Sequence, residues 1–175
     1  SKGNGQYSTN APTTEIDNGC IDLPKVGIGL SGGGRKLPDH IGTLEGIEDH
    51  FDLLSVNPSI EMTGRSAGAI ISALYMVIMQ QYRNDPERFR NFRGPAHVLE
   101  SILLENQRIF QRNQTVDILR GQGIINTRKI EEFLKRGLED RNFYDVPNLY
   151  VVAHKLHEGK DIVFREDSTH DLEIV

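Results

Sequence analysis

Residues 63–80 read TGRSAGAIISALYMVIMQ. Gly64 and Gly68 bracket Ser66, and Ile70, Ile71, Leu74, Val77 and Ile78 then recur at helical spacing until the polar run QQYRNDPER. The five residues 64–68 fit G-x-S-x-G, in which a strand turns so sharply into a helix that only small flanking residues fit. Such a turn presents the serine hydroxyl at the positive end of the helix dipole, where the backbone N–H of Ala67 has no intrahelical acceptor. The plainer reading is a small residue that starts a buried helix. The upstream sequence bears on the choice.

In KVGIGLSGGG, Val26, Ile28 and Leu30 alternate ahead of Ser31 and three glycines, Gly32, Gly33 and Gly34. This predicts a strand over 25–30 that ends in a tight turn. Glycine backbones offer N–H groups without side chains in the way, as an oxyanion hole requires. A plain turn and a phosphate-binding loop are the rival readings. The second is disfavoured because GGGRKL lacks the final glycine of G-x-G-x-x-G, and no G-x-x-x-x-G-K-[ST] occurs. Ile41, Leu44, Ile47 and Phe51 then predict an amphipathic helix, and SIEMTG a short strand before Ser66. Strand, helix, strand, helix implies a parallel sheet with crossover helices, an α/β fold.

Residues 85–120 are rich in Arg, Asn and Gln and contain one clear helical stretch, VLESILLENQRIF; a helical insertion or cap over the sheet is expected there. Asn126 is the expected N-cap of a helix whose buried stripe is Ile130, Phe133, Leu134 and Leu138. Residues 149–153 and 161–164 read as two strands joined at HEGK. Residues 1–24 are polar and turn-forming and read as a flexible lead-in, leaving 25–175 as the folded part.

The order of motifs resembles the opening of the patatin-like phospholipase family. GIGLSGGGRKLPDHIGTLEGIE matches its glycine turn and HxGxL helix, the latter as His40-Ile41-Gly42-Thr43-Leu44, and MTGRSAGAIISALY matches its G-x-S-x-G. YDVPNLYVVAHKLHEGKDIVF resembles its later strand pair. The resemblance implies a three-layer α/β/α sandwich with a mainly parallel sheet, and acyl-ester hydrolysis by a Ser-Asp dyad. Carried over by position, Ser66 is the nucleophile and Gly32, Gly33, Gly34 and Ala67 supply the oxyanion N–H groups. Gly64 and Gly68 form the elbow, and Lys36 is the basic residue after the glycines. Two positions depart from the pattern: Leu37 stands where the family has a glycine, and Arg65 where it has a small residue. Arg65 sets a cation beside the nucleophile, able to anchor an anionic head group, so Arg65 and Lys36 are the expected substrate-binding residues.

The family's aspartate lies in an Asp-Gly motif, and no Asp-Gly occurs in these 175 residues. The expectation is a domain truncated at its C-terminus, with the dyad aspartate beyond Val175 and little turnover from residues 1–175 alone. Asp145, Asp161, Asp167 and Asp171 are the local alternatives, each in a polar, turn-like setting. A Ser-His-Asp arrangement is the weaker option, since His40, His50, His97, His154, His157 and His170 have no acid partner at a telling spacing. His154 and His157 lack further ligands for a metal, and no cofactor is expected.

Twenty basic against 25 acidic residues, net −5, give no footprint for nucleic acid. The longest apolar run, Ala67 to Met79, is shorter than the ~20 residues that span a bilayer, so membrane contact would be peripheral. One cysteine, Cys20, fits a reducing compartment; a cytoplasmic or membrane-peripheral location is expected, with a secreted effector as the other option. The expected substrate is a phospholipid or related acyl ester. A non-catalytic patatin-fold module that binds lipid or protein is the alternative reading.

Overall fold

The computed structural model describes residues 26–32, 37–56, 60–110, 127–139, 141–155 and 157–167. Strand β1 (Val26–Leu30) leads through helix α1 (Leu37–Glu48) and a short α2 (Leu53–Val56) to β2 (Ile60–Arg65). Helix α3 (Ala67–Asn84), α4 (Pro95–Glu105) and α5 (Thr127–Leu138) follow, and β3 (Leu149–Lys155) and β4 (Lys160–Phe164) close the series. The sheet order is β1-β2-β3-β4; the first three strands are parallel and β4 is antiparallel. Each parallel step is bridged by helices because strands that run the same way need a long crossover, whereas β3 and β4 need only a turn.

Helix α3 lies under the sheet and is buried almost all round, from Ile71 to Met79 without a break. A helix that is apolar on every side has to be covered on every side. One flank packs on β1, β2 and β3, and the others on α1, α4 and α5. Gly137 of α5 lets the backbones approach: a Cβ there would come within 2.7 Å of Leu74 Cδ2. Phe133 and Leu138 of the expected stripe are buried, with Ile130 and Leu134 half-buried. Asn126, the expected cap, lies outside the described residues.

Ile28, Leu30, Met62 and Leu149 face this helical layer, while Thr63, Arg65, His154, Asp161 and Val163 are exposed on the opposite face. Among the described residues the architecture is therefore an α/β fold with two layers and one open sheet face. The third layer of the expected sandwich is not found there. Phe51 also differs from expectation: α1 ends at Glu48, the His50 ring hydrogen-bonds the Gly46 carbonyl of its last turn, and Phe51 is left 64% exposed. No helix of the described residues is long and apolar enough to cross a membrane.

One polar node sits inside the helical layer. Glu48 Oε1 accepts hydrogen bonds from the Tyr75 hydroxyl at 2.6 Å and from Ala96 N at 3.0 Å. The second bond caps the start of α4, whose own N-cap is Gly94 and has no side chain to do so. Burial holds the Glu48 carboxyl above its usual range, against the lowering effect of the two bonds. Burial, together with the Glu48 charge, also pushes the Tyr75 hydroxyl up, so it stays the donor.

A raised carboxyl contributes stability that is complete below its unfolded pKa and is lost as pH rises through the folded value. Glu48→Gln, which keeps an acceptor oxygen and removes the ionisation, is thus expected to match or exceed the parent in stability at neutral pH. Glu48→Ala strands the fully buried Tyr75 hydroxyl and should cost about 1–3 kcal/mol. Urea unfolding at acid and neutral pH checks both. A glutamine variant markedly weaker than the parent at neutral pH would contradict the assignment.

Candidate active site

Between the last residue of β2, Arg65, and the first of α3, Ala67, stands a single residue, Ser66. Its backbone is at φ 53°, ψ −122°, a region that a residue with a side chain enters at a cost of about 1–3 kcal/mol. An ordinary N-cap serine has an extended backbone and turns its hydroxyl back onto the N–H of the second or third helical residue. Ser66 does neither: its side chain makes no capping bond and it is exposed. Ser66 therefore starts α3 without the geometry of an ordinary capping serine. Among the described residues its hydroxyl caps no helix N–H, and its backbone conformation is one that the surrounding fold must enforce.

The enforcing contacts are made by its two glycines. A Cβ built on Gly64 would stand 2.5 Å from the backbone N and Cα of Ala69. One built on Gly68 would stand 2.6 Å from the Leu30 carbonyl carbon and 2.7 Å from the Ser31 oxygen. Only glycine allows β2 to fold back against α3, and the start of α3 to press on the end of β1. The Ser66 carbonyl accepts from Ala69 N at 2.9 Å and Ile70 N at 3.3 Å, which leaves the N–H of Ala67 and Gly68 without intrahelical acceptors at the positive end of an 18-residue helix.

The close approach of α3 to β1 brings Gly32 to the serine. A Cβ on Gly32 would lie 3.4 Å from Ser66 Cβ, so Gly32 and Ser66 are neighbours. Gly33, Gly34 and Lys36 lie outside the described residues. His40, buried in the first turn of α1, donates from Nε2 to the Ser31 carbonyl at 2.9 Å and so ties that helix to the end of β1. It is a packing and anchoring residue. Leu37, the departure from the glycine pattern, is buried at the start of α1.

Arg65 projects from the exposed face of β2. Its guanidinium lies 3.6 Å from Asp161 Oδ1 of β4, and the same oxygen accepts from His154 Nδ1 of β3 at 2.8 Å. The His154 hydrogen bond, reinforced by the Arg65 charge, holds Asp161 below the usual carboxylate range. This cluster spans three strands next to Ser66. Sequence reasoning found no acid partner for His154; the antiparallel hairpin, whose register is centred between His157 and Glu158, pairs it with Asp161.

Several of the other candidate groups are engaged elsewhere, and His157 is exposed in the turn between β3 and β4. Asp145 Oδ2 accepts from Asn142 N, and Asp167 pairs with Arg165 at 2.5 Å. His50 bonds the Gly46 carbonyl, and His97 accepts from Arg93 N at 3.2 Å. Asp171 and His170 lie outside the described residues. No group of side chains able to hold a metal ion occurs among the described residues.

Comparison with protein-family models, with curated proteins and with solved structures gave no match in any of the three.

Proposed function

We propose that the chain carries the nucleophile and oxyanion elements of a patatin-like serine acyl-ester hydrolase acting on phospholipid or a related acyl ester. The observation that carries this reading is Ser66 itself: an exposed, uncapped serine at φ 53° between a strand and the buried helix α3. Strained non-glycine residues cluster at active sites, and this one carries a side chain that caps no helix N–H.

In the proposed reaction Ser66 Oγ attacks the acyl carbonyl, its proton passing to a general base. The negative charge on the former carbonyl oxygen is met by the N–H of Ala67 and those of the glycine turn at Gly32, Gly33 and Gly34, and each such donor is commonly worth about 3–4 kcal/mol of transition-state stabilisation. Collapse expels the alcohol and leaves an acyl-enzyme on Ser66, which water then hydrolyses. The base in this reading is the aspartate of the family's Asp-Gly motif, a motif that residues 1–175 do not contain. Arg65, held by Asp161, and Lys36 would take the anionic head group, leaving the ester at the serine. Peripheral contact with a lipid surface is part of the proposal.

A fluorophosphonate probe tests it, because the reagent reacts with an activated serine and not with an ordinary one. The full natural polypeptide should be labelled at Ser66 and should release fatty acid from phosphatidylcholine vesicles, and Ser66→Ala should lose both. Absence of labelling and of turnover in the folded, full-length protein would favour a lipid- or protein-binding module on the same framework.

A further inference from the structure

Next to Ser66, the open face of the sheet carries two nitrogen groups that the fold leaves unused. Arg65 immediately precedes the serine, and its guanidinium, 54% exposed, meets Asp161 Oδ1 at 3.6 Å, beyond hydrogen-bond length. Among the described residues it makes no hydrogen bond, so its planar fork of N–H donors faces solvent. His154 lies on the same face. The register sets Val152 of β3 opposite Arg65, and two residues further on His154 points the same way, just past the end of β2 where Ser66 turns.

Asp161 fixes what each of them can do. Its carboxylate, held below the usual range by the His154 hydrogen bond, can only accept, so the His154 Nδ1 at 2.8 Å is the donor. That leaves Nε2 as the open nitrogen, an acceptor on the neutral ring and a donor on the charged one. Arg65 and a charged His154 together outweigh the Asp161 carboxylate by one positive charge. The next acidic side chain along that face of β2, Glu61, stands four residues back, roughly 13 Å away. Lys155 and Lys160, the next pair along the hairpin, fall on the other face by alternation, and Lys155 is paired with Glu158.

We infer that Arg65 and His154 form a clamp for the phosphate of an anionic phospholipid head group, with Asp161 positioning both. A phosphodiester presents two unbridged oxygens, one for the guanidinium fork and one for the His154 Nε2–H. The carboxylate beside them is already engaged, so a choline cation on the same phosphate finds no partner there, whereas the neutral glycerol of phosphatidylglycerol needs none. Anionic phospholipid is then the substrate class. The inference rests on the hydrolase reading for the ester at Ser66 but not for the binding of phosphate.

The test uses the full-length protein in the Ser66→Ala background and monomeric dihexanoylphosphatidylglycerol, whose phosphate keeps one negative charge at every pH used. Calorimetry at about pH 6, where histidines carry charge, gives Kd for the parent and for Arg65→Gln, His154→Ala and Asp161→Asn. A hydrogen bond between charged groups is worth about tenfold or more in affinity, so the first two variants should each bind about tenfold more weakly. Asp161→Asn keeps an acceptor for Nδ1 and removes the opposing charge, so it should bind more tightly. From about pH 8 to about pH 5.5 the parent's affinity should rise several-fold, a rise absent from His154→Ala. With Ser66 intact, the ratio of kcat/KM for this lipid to that for dihexanoylphosphatidylcholine should be about ten and should fall towards one in both weakened variants.

Equal affinities of the parent, Arg65→Gln and His154→Ala would overturn the clamp, even if hydrolysis still depends on Ser66. Equal affinity for glycerophosphoglycerol, the same diester without acyl chains, would assign the clamp to a free phosphodiester and overturn the lipid source. Weakened binding in both variants of a protein that hydrolyses neither lipid would support the clamp and overturn the hydrolase reading.

Discussion

Replacing Ser66 by glycine is expected to abolish ester hydrolysis while making the folded protein more stable. The two effects share one cause. At φ 53° a side chain costs about 1–3 kcal/mol, a cost glycine does not carry, and part of that gain is returned through the greater freedom of glycine in the unfolded chain. A net gain of about 1 kcal/mol is therefore expected. Nothing offsets it, since the Ser66 side chain is exposed and caps no helix N–H.

Turnover should fall on the order of 10⁴-fold or more, the scale seen when a catalytic serine is removed. Ser66→Ala separates the two terms: it keeps the Cβ and the strain, so it should lose the same turnover with a nearly unchanged melting temperature. Measuring kcat/KM and urea midpoints for the three proteins decides the matter. Turnover that persists in a folded Ser66→Gly protein would remove the serine from the chemistry.

Gly68→Ala should produce a large loss of stability for a single methyl addition near the site. The new Cβ meets the Leu30 carbonyl carbon at 2.6 Å and the Ser31 oxygen at 2.7 Å. Both are backbone atoms and cannot swing aside, so the start of α3 and the end of β1 must separate. Forcing added volume into a packed site typically costs 1–3 kcal/mol, and a backbone clash belongs at about 3 kcal/mol or beyond. That corresponds to a melting temperature lower by roughly 6–12 °C for a chain of this size.

The same displacement would carry Ala67 N away from Gly32 and, under the proposed hydrolase function, lower turnover in whatever fraction remains folded. Gly29→Ala is the control: it lies in β1 on the open face, its Cβ would meet nothing within 4 Å, and it should be close to neutral. Equal stability of the Gly68 and Gly29 variants would mean that the close approach of α3 to β1 does not occur in solution.

Much of this framework is legible in the sequence because local pattern and tertiary demand agree. Alternation in VGIGL, helical spacing after Ser66 and the β-branched pair around HEGK each match the element that forms, with ends shifted by a residue or two. What the sequence hides is set by contacts between distant segments. Glu48 looks like any acidic residue at the end of an amphipathic helix, and only the fold brings Tyr75 and Ala96 to it. Arg65 looks like an isolated cation until β4 delivers Asp161. The glycines of 63–80 are readable as an elbow, but which backbone atoms they must avoid depends on β1 lying against α3.

Strand β2 sits at the middle of the sheet with neighbours of very different origin. β1 reaches it through a nearby helical crossover, while β3 comes from the far end of the described chain, Leu149 pairing with Met62. Closing the longer loop loses more chain entropy before any contact rewards it, so the β1-α1-β2-α3 unit is favoured to assemble early and the β3-β4 hairpin to dock late. Gly64, Gly68 and the end of β1, which press on the strained turn at Ser66, all belong to the early unit, while β3 pairs beside it at Gly64 and Arg65. Asp161, which steadies Arg65, arrives only with the hairpin. In pulse-labelled hydrogen exchange during refolding, amides of α3 should thus gain protection ahead of those of β3. The order of assembly would build the turn at Ser66 first and its charged neighbour last.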